Sequence, residues 1–209
     1  MSDEDLIIEP AGNVRAELKE RRSRFIASLA VARSEEAAKD FIRSVGQEHS
    51  QANHNCWAYR VGSQKPTEYF SDAGEPAGTA GKPILGAIQR VGLSNTVIVV
   101  TRYFGGIKLG VRGLIEAYGK SASLAVQKAG TTKKRLARMA RLVTFYEHQN
   151  TVLAMLREIG VDGNTVEAEY GADVILAVPV PLSFIPQAEE LFTGFLGREL
   201  VASWTWTGE

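Results

Sequence analysis

Two short segments of the chain concentrate residue types that could do chemistry. The first, HSQANHNCWAYR, contains His49, His54 and Cys56. The second, YFSDAGEPAGTAGKP, supplies Asp72 and Glu75 just before a glycine-rich stretch. Imidazole, thiol and carboxylate groups are the usual components of metal sites and of activated nucleophiles. These two segments are therefore where a metal ion or a reacting group would first be sought.

Their spacing leaves several kinds of site open. If residues 54–61 form a strand, alternation places His54 and Cys56 on one face and Trp57 and Tyr59 on the other, so that a thiol–imidazole pair is possible. A zinc site normally needs three or four ligands, and no CxxC or HExxH pattern accompanies these residues. A buried, hydrogen-bonded thiol is the plainer interpretation of the lone cysteine. A small hydrolase or transferase site would combine His54, Asp72, Glu75 and Arg102.

The stretch GEPAGTAGKPIL cannot continue a strand and predicts a helix that Thr79 caps. Backbone N–H groups at such an entry can hold a phosphate, which makes Thr79, Gly81 and Lys82 candidate phosphate-binding residues. A structural glycine loop is the alternative. Pro76 and Pro83 occupy positions where a Walker A loop needs Gly and Ser or Thr, and neither GxGxxG nor GxSxG occurs. We therefore expect no cofactor.

A third segment, TRYFGGIKLGVRG, interleaves the cations Arg102, Lys108 and Arg112 with the aromatic residues Tyr103 and Phe104. Cations contact phosphates, and aromatic rings stack on unpaired bases. Single-stranded or structured RNA is therefore the predicted ligand. The alternative is that the aromatic side chains belong partly to the core and the cations to a solvated face.

The formal net charge of zero conceals a separation of charge along the chain. Residues 1–141 carry 22 Lys and Arg against 14 Asp and Glu, whereas residues 142–209 carry 2 against 10. Within residues 101–141, ten basic residues accompany one acid, Glu116. This asymmetry favours contact with nucleic acid, to which Arg22, Arg24 and Lys82 would add. Docking of the basic region on the acidic one is the alternative.

The pattern of apolar residues predicts two α+β domains, residues 1–135 and 136–209. In the first, residues 1–12 are expected to form a loose tail. The predicted elements after it are strands over 14–20 and 24–31, a helix from the cap Ser34 to Gly46, a hairpin of 54–61 and 67–71, a helix to about 91, a strand over 95–102, a helix over 110–128 and a linker over 129–135.

The second domain is predicted to follow the ferredoxin-like order of strand, helix, two strands, helix and strand. Its elements are expected over 137–146, 149–159, 165–170, 173–180, 184–196 and 199–207. The single cysteine excludes an internal disulfide, and no apolar run approaches the length of about 20 residues that spans a bilayer. We expect a cytoplasmic protein with no membrane partner.

Three of these segments together, HNCWAYRVG, YFSDAGEPAGTAGKPIL and VVTRYFGGIKLGVRGLIEAYG, resemble the signature of the YigZ/IMPACT family. The resemblance covers most of residues 15–128, and the acidic tail resembles the additional C-terminal domain of the bacterial YigZ-type members. The family has no established catalytic residues, so none is assigned. The positions that match its motifs are His54, Cys56, Asp72, Glu75, Thr79, Arg102, Gly105, Gly106 and Lys108.

The resemblance implies a βαβ-type first domain like domain IV of elongation factor G and a second domain like its domain V. Those domains contact the ribosome and RNA. We therefore expect a factor for the regulation of translation that binds RNA or the ribosome through the basic surface of residues 101–141. The alternatives are the small hydrolase or transferase described above and a scaffold that binds a protein partner through its acidic second domain.

Overall fold

The computed structural model describes residues 5–63 and 65–207. The chain divides into two compact units, residues 7–134 and residues 135–207 together with 5 and 6. Among the described residues, no helix combines the length and apolar character needed to cross a membrane.

The first unit is built on an antiparallel five-stranded sheet with the strand order β2-β3-β6-β4-β5. Its strands are β2 (Val14–Glu20), β3 (Ser23–Val31), β4 (His54–Val61), β5 (Thr67–Ser71) and β6 (Thr96–Tyr103). Residue types explain the order: β6 carries the apolar run TVIVV and lies at the centre, whereas β2 alternates Val, Ala and Leu with charged residues and lies at one edge.

Helices cover both faces of this sheet. On one face, α2 (Gly81–Val91) and α3 (Gly110–Ala129) bury a core that includes Phe25, Cys56 and Tyr118. On the other, α1 (Glu35–Glu48) covers a smaller core that includes Tyr59. The predicted alternation along β4 is thus confirmed. The Oγ of Ser34 accepts the N–H of Ala37, which confirms the predicted cap of α1, although the helix runs two residues beyond Gly46.

Two predictions for this unit are wrong. Part of the expected loose tail forms β1 (Leu6–Pro10), and the expected linker contains β7 (Thr131–Arg135), with which β1 makes a two-stranded sheet. Residues 1–4 of the tail lie outside the described residues. A buried carboxylate anchors β1, because Glu9 accepts a hydrogen bond from Asn95 at 2.7 Å and pairs with Arg33 and Lys134.

The second unit has the predicted order of elements and an antiparallel sheet with the strand order β11-β8-β10-β9. This is the ferredoxin-like arrangement, in which the first and third strands lie at the centre. Leu142, Leu176 and Phe192 are fully buried in its core. The elements are β8 (Ala137–Thr144), α4 (Gln149–Glu158), β9 (Glu167–Tyr170), β10 (Val174–Pro181), α5 (Ile185–Gly197) and β11 (Val201–Thr207).

Candidate functional site

The centre of the candidate site is an ion pair between β6 and the loop that precedes α2. Nη1 of Arg102 lies 2.6 Å from Oε1 of Glu75, and both side chains are buried. The hydroxyl of Tyr118, from α3, donates to the same oxygen at 2.8 Å. The guanidinium lies between two rings, 5.5 Å from the centroid of Phe25 and 5.3 Å from that of Phe104. These contacts offset most of the free-energy cost of removing the two charges from water.

His54 lies beside this pair because it is the register partner of Arg102 on the neighbouring strand β4. Its Nδ1 lies 2.9 Å from the carbonyl oxygen of Ala73, which can only accept a hydrogen bond. In the neutral ring Nδ1 therefore carries the proton, and Nε2 carries the lone pair. Nε2 lies 4.0 Å from Oε1 of Glu75.

Cys56 is excluded as a reactive group by its surroundings. Its thiol is fully buried and donates to the carbonyl oxygen of Asp72 at 2.9 Å, while His54 bonds to a different carbonyl. Burial raises the pKa of Cys56 to about 12, so that the thiol is protonated at neutral pH. The interpretation as a thiol–imidazole pair is wrong. In the part of the chain that is described, no three His, Cys, Asp or Glu side chains are grouped so that they could hold a metal ion.

Asp72 caps α2 in place of Thr79. Its carboxylate accepts the backbone N–H groups of Gly78, Ala80 and Gly81 at 2.8 to 2.9 Å. Burial alone would raise the pKa of Asp72, but the three backbone donors lower it below its ordinary value. Thr79 is buried and donates its hydroxyl to the carbonyl of Pro76, so the predicted Thr79 cap is wrong.

Two of the groups that were expected to bind a phosphate at the start of α2 already have partners within the protein. The N–H of Gly81 and the hydroxyl of Thr79 are already bonded within the protein. Lys82, one residue further along the helix, has an exposed side chain.

A pocket of about 400 Å³ opens beside the buried pair. His54, Glu75 and Arg102 line it, as the enzyme hypothesis requires, whereas the carboxylate of Asp72 is bonded to backbone N–H groups at the start of α2. The rest of its lining comes from Asn53, Pro76, Phe104, Lys108, Leu109, Gly110, Val111 and Leu114.

The loop between β6 and α3 carries the predicted cations to the rim of this pocket. Lys108 is exposed and lines the pocket. Gly106 has a positive φ of 85°, and Gly105 packs so closely against the β2–β3 turn that a Cβ there would overlap the carbonyl oxygen of Arg22. The two glycines therefore let the loop turn beside Arg22, whose own φ is 66°.

Further cations surround the same loop. Arg112, whose side chain is 93% exposed, forms an ion pair of 2.9 Å with Glu116 one helical turn away. Arg21, Arg112 and Lys120 line a second pocket of about 440 Å³ between the β2–β3 turn and α3, together with the acidic residues Glu20 and Glu116. We define the basic surface as the exposed residues Arg21, Arg22, Lys108, Arg112 and Lys120.

Tyr103 and Arg24 lie elsewhere than the sequence pattern indicated. Tyr103 points to the opposite sheet face from Arg102, where its hydroxyl lies 3.0 Å from Nδ1 of His49 at the end of α1. Arg24 is 6.0 Å from the Tyr103 ring and pairs with Glu17. These residues therefore do not share the pocket with Phe104.

Three features of the site were not predicted from the sequence. Tyr118 looked like an ordinary apolar position of α3, although a buried tyrosine hydroxyl usually needs a partner. Asn53, whose Oδ1 accepts the N–H of Phe104, lies in a loop without a motif. The third feature is a group of exposed apolar side chains beside the cations, formed by Phe104, Ile107, Val111 and Ile115.

A family model and several known proteins match the first unit, which carries the three motif segments. The family model described as the Impact N-terminal domain matches residues 21–126. The chain is 37% identical to the IMPACT family member YigZ of Escherichia coli over 85% of this chain and 87% of that protein. It is 42% identical to the IMPACT family member YvyE of Bacillus subtilis over 66% of this chain and 63% of that protein.

A solved crystal structure of a hypothetical protein covers 98% of both chains at 33% identity, with a TM-score of 0.66. The family model spans half of the sequence, and the similarity to YigZ extends across both units. The chain therefore belongs to the IMPACT family.

Proposed function

We propose that this chain binds RNA, free or in the ribosome, through the basic surface, and that it acts in the regulation of translation. The observation that carries the proposal is the meeting of two kinds of side chain at one pocket. Lys108 provides an exposed cation there, and Phe104, a residue that is 44% exposed, provides an aromatic ring. Proteins that bind single-stranded nucleic acid combine these two elements.

The distribution of charge supports the same site. Of the ten basic residues in 101–141, several are already engaged: Arg102 with Glu75, Lys128 with a carbonyl oxygen, Lys134 with Glu9 and Arg138 with the ring of Trp206. The charge count alone therefore overstates the cations that are available to phosphates. The basic surface is instead concentrated at the turn, loop and helix around Phe104.

Membership in the IMPACT family supports the connection with translation, because the resemblance to this family implies a role in the regulation of translation. The nature of the contact follows from the chemistry of the surface. Exposed lysines and arginines contact phosphates without reading base edges, so we expect binding with little sequence preference.

The test is to measure binding of the full chain to labelled single-stranded RNA, to duplex RNA and to purified ribosomes at several salt concentrations. The proposal predicts binding that weakens steeply as salt rises, because bound phosphates release counterions. Stronger binding to single strands than to duplex would support a role for the Phe104 ring. Failure to bind any of the three at low salt would contradict the proposal.

A further inference from the structure

The pocket beside the buried ion pair has features that a phosphate-binding surface does not require. Its volume of about 400 Å³ lies within the range of small-molecule sites, roughly 300–1,000 Å³. Apolar side chains, among them Val111 and Leu114, meet polar groups of His54 and Glu75 within it. Such a combination suits a ligand that has a planar apolar part and a few hydrogen-bonding groups.

Phe104 supplies a stacking face. The guanidinium of Arg102 lies 5.3 Å from its ring centroid, which holds the ring in place, and Phe104 lines the pocket as a residue that is 44% exposed. A planar heterocycle can stack on the exposed part of this ring.

The polar side of the pocket offers acceptors. Oε1 of Glu75 accepts from both Arg102 and Tyr118, whereas Oε2 accepts no hydrogen bond from any residue that the structure describes. Nε2 of His54 is a second acceptor whenever the ring is neutral, because Nδ1 is bonded to Ala73. The Watson–Crick edge of every nucleobase carries an N–H donor that can meet such acceptors.

Another part of the pocket lining suits an anion. Lys108 and Gly110, where α3 begins, both line the pocket, and α3 has no side-chain cap at Leu109 and no acidic residue in its first turn, so its free N–H groups and positive dipole end favour negative charge. Arg102 lines the pocket with only 5% of its surface exposed, so its buried charge adds to the positive potential there.

We propose that this pocket binds one nucleoside monophosphate unit, with the base on Phe104 and the phosphate at Lys108 and the first turn of α3. The unit is either a free mononucleotide or one unstacked nucleotide of an RNA strand. For the RNA source, the inference rests on the proposed function, which it deepens by naming the place where a base is held.

The experiment measures binding of UMP, GMP and their nucleosides to the full chain by calorimetry. Phe104→Ala should weaken binding of the nucleotides about tenfold, because one stacking contact is lost. Lys108→Ala should weaken the nucleotides but leave the nucleosides unchanged. The matched control is Phe70→Ala on β5, since that ring is also 44% exposed and lies outside this pocket.

Val111→Glu provides a second test that leaves the buried core unchanged, since Val111 is 61% exposed. It brings a negative charge to the first turn of α3 and should abolish most nucleotide binding. Nucleotide binding that is unchanged in all three pocket variants would overturn the inference.

Competition with labelled RNA separates the two sources. Displacement of RNA by UMP or GMP supports an RNA nucleotide in the pocket. If RNA binds but mononucleotides neither bind nor compete, and Phe104→Ala binds RNA normally, the inference is overturned while the proposed function stands. If mononucleotides bind and RNA does not, the pocket is a site for free nucleotides and the proposed function fails.

Discussion

Arg102 and Glu75 form an ion pair in the interior of the first unit, with 2.6 Å between Nη1 and Oε1. The pair links the central strand β6 to the loop before α2, and Tyr118 extends the link to α3. The same arginine supports the ring of Phe104 at the pocket. One buried contact therefore holds both the fold of this unit and the surface on which the proposed function depends.

Removal of one partner should destabilise the protein strongly. Arg102→Met leaves the carboxylate of Glu75 buried without its cation, and we expect a loss of about 3–5 kcal/mol in the free energy of unfolding. The double variant with Glu75→Gln should lose less than the sum of the two single changes. Denaturant unfolding measures both. The control Arg112→Met breaks an exposed pair and should cost less than about 1 kcal/mol; equal losses at the two arginines would contradict the account.

The cap of α2 leads to a prediction about pH. Asp72→Asn keeps the shape of the side chain but removes its charge, and we expect a loss of about 1 kcal/mol at pH 7. Since the folded state lowers the pKa of Asp72, its charge stabilises the fold fully above the unfolded pKa of about 3.9. That contribution is lost as the pH falls through the folded pKa.

The measurement is the difference in unfolding free energy between the wild type and Asp72→Asn from pH 7 to the acid range. It should stay constant down to about pH 4 and then shrink. Asp40→Asn on α1 is the control, because Asp40 makes an exposed pair with Arg43. A difference that grows with acidity would rule out this role for Asp72.

Gly105 is predicted to tolerate no side chain. Gly105→Ala would place a Cβ onto the carbonyl of Arg22, which is backbone and cannot rotate away, so we expect a loss of more than about 2 kcal/mol. Gly46→Ala in α1 is the matched control, since nothing lies within 4 Å of its Cβ. Alanine favours a helix over glycine, so this change should stabilise the protein by up to about 1 kcal/mol. In thermal unfolding, the melting temperature should fall for Gly105→Ala and should rise for Gly46→Ala.

Cys56 should be chemically inert in the native protein. With a pKa of about 12, only about one thiol in ten thousand is ionised at pH 8, and the side chain is fully buried. A chromogenic disulfide reagent should therefore react with native protein far more slowly than with protein unfolded in denaturant. Rapid labelling of the native chain would show that Cys56 is accessible and would contradict the conclusion that its thiol is unreactive.

Local patterns predicted much of this structure. Alternation along β4 placed Cys56 on one face and Tyr59 on the other, and the structure confirms both. The order of elements in the second unit also followed from periodicity, because its strands and helices have distinct apolar spacings. The convergence of His54, Glu75 and Arg102 was considered from residue type alone, and the pocket brings the three together.

What the sequence did not predict depends on contacts between distant residues. TTKKR has no apolar periodicity, and it forms β7 only because β1, more than 120 residues earlier, pairs with it. Asp72 replaces Thr79 as the cap because a loop folds its carboxylate back onto α2. The likeness of the two units to domains IV and V of elongation factor G stays a prediction.

The most direct test of RNA binding through the basic surface is the salt dependence of a charge-reversal variant. Lys108→Glu with Arg112→Glu should bind RNA of every sequence more weakly and should reduce the slope of log K against log salt by about 1.5 to 2. The matched control is Lys39→Glu with Arg43→Glu on α1, which makes the same change in net charge on the other face of the sheet. We expect a reduced slope for the first variant and a normal slope for the control; equal slopes for both would show that RNA does not bind through Lys108 and Arg112.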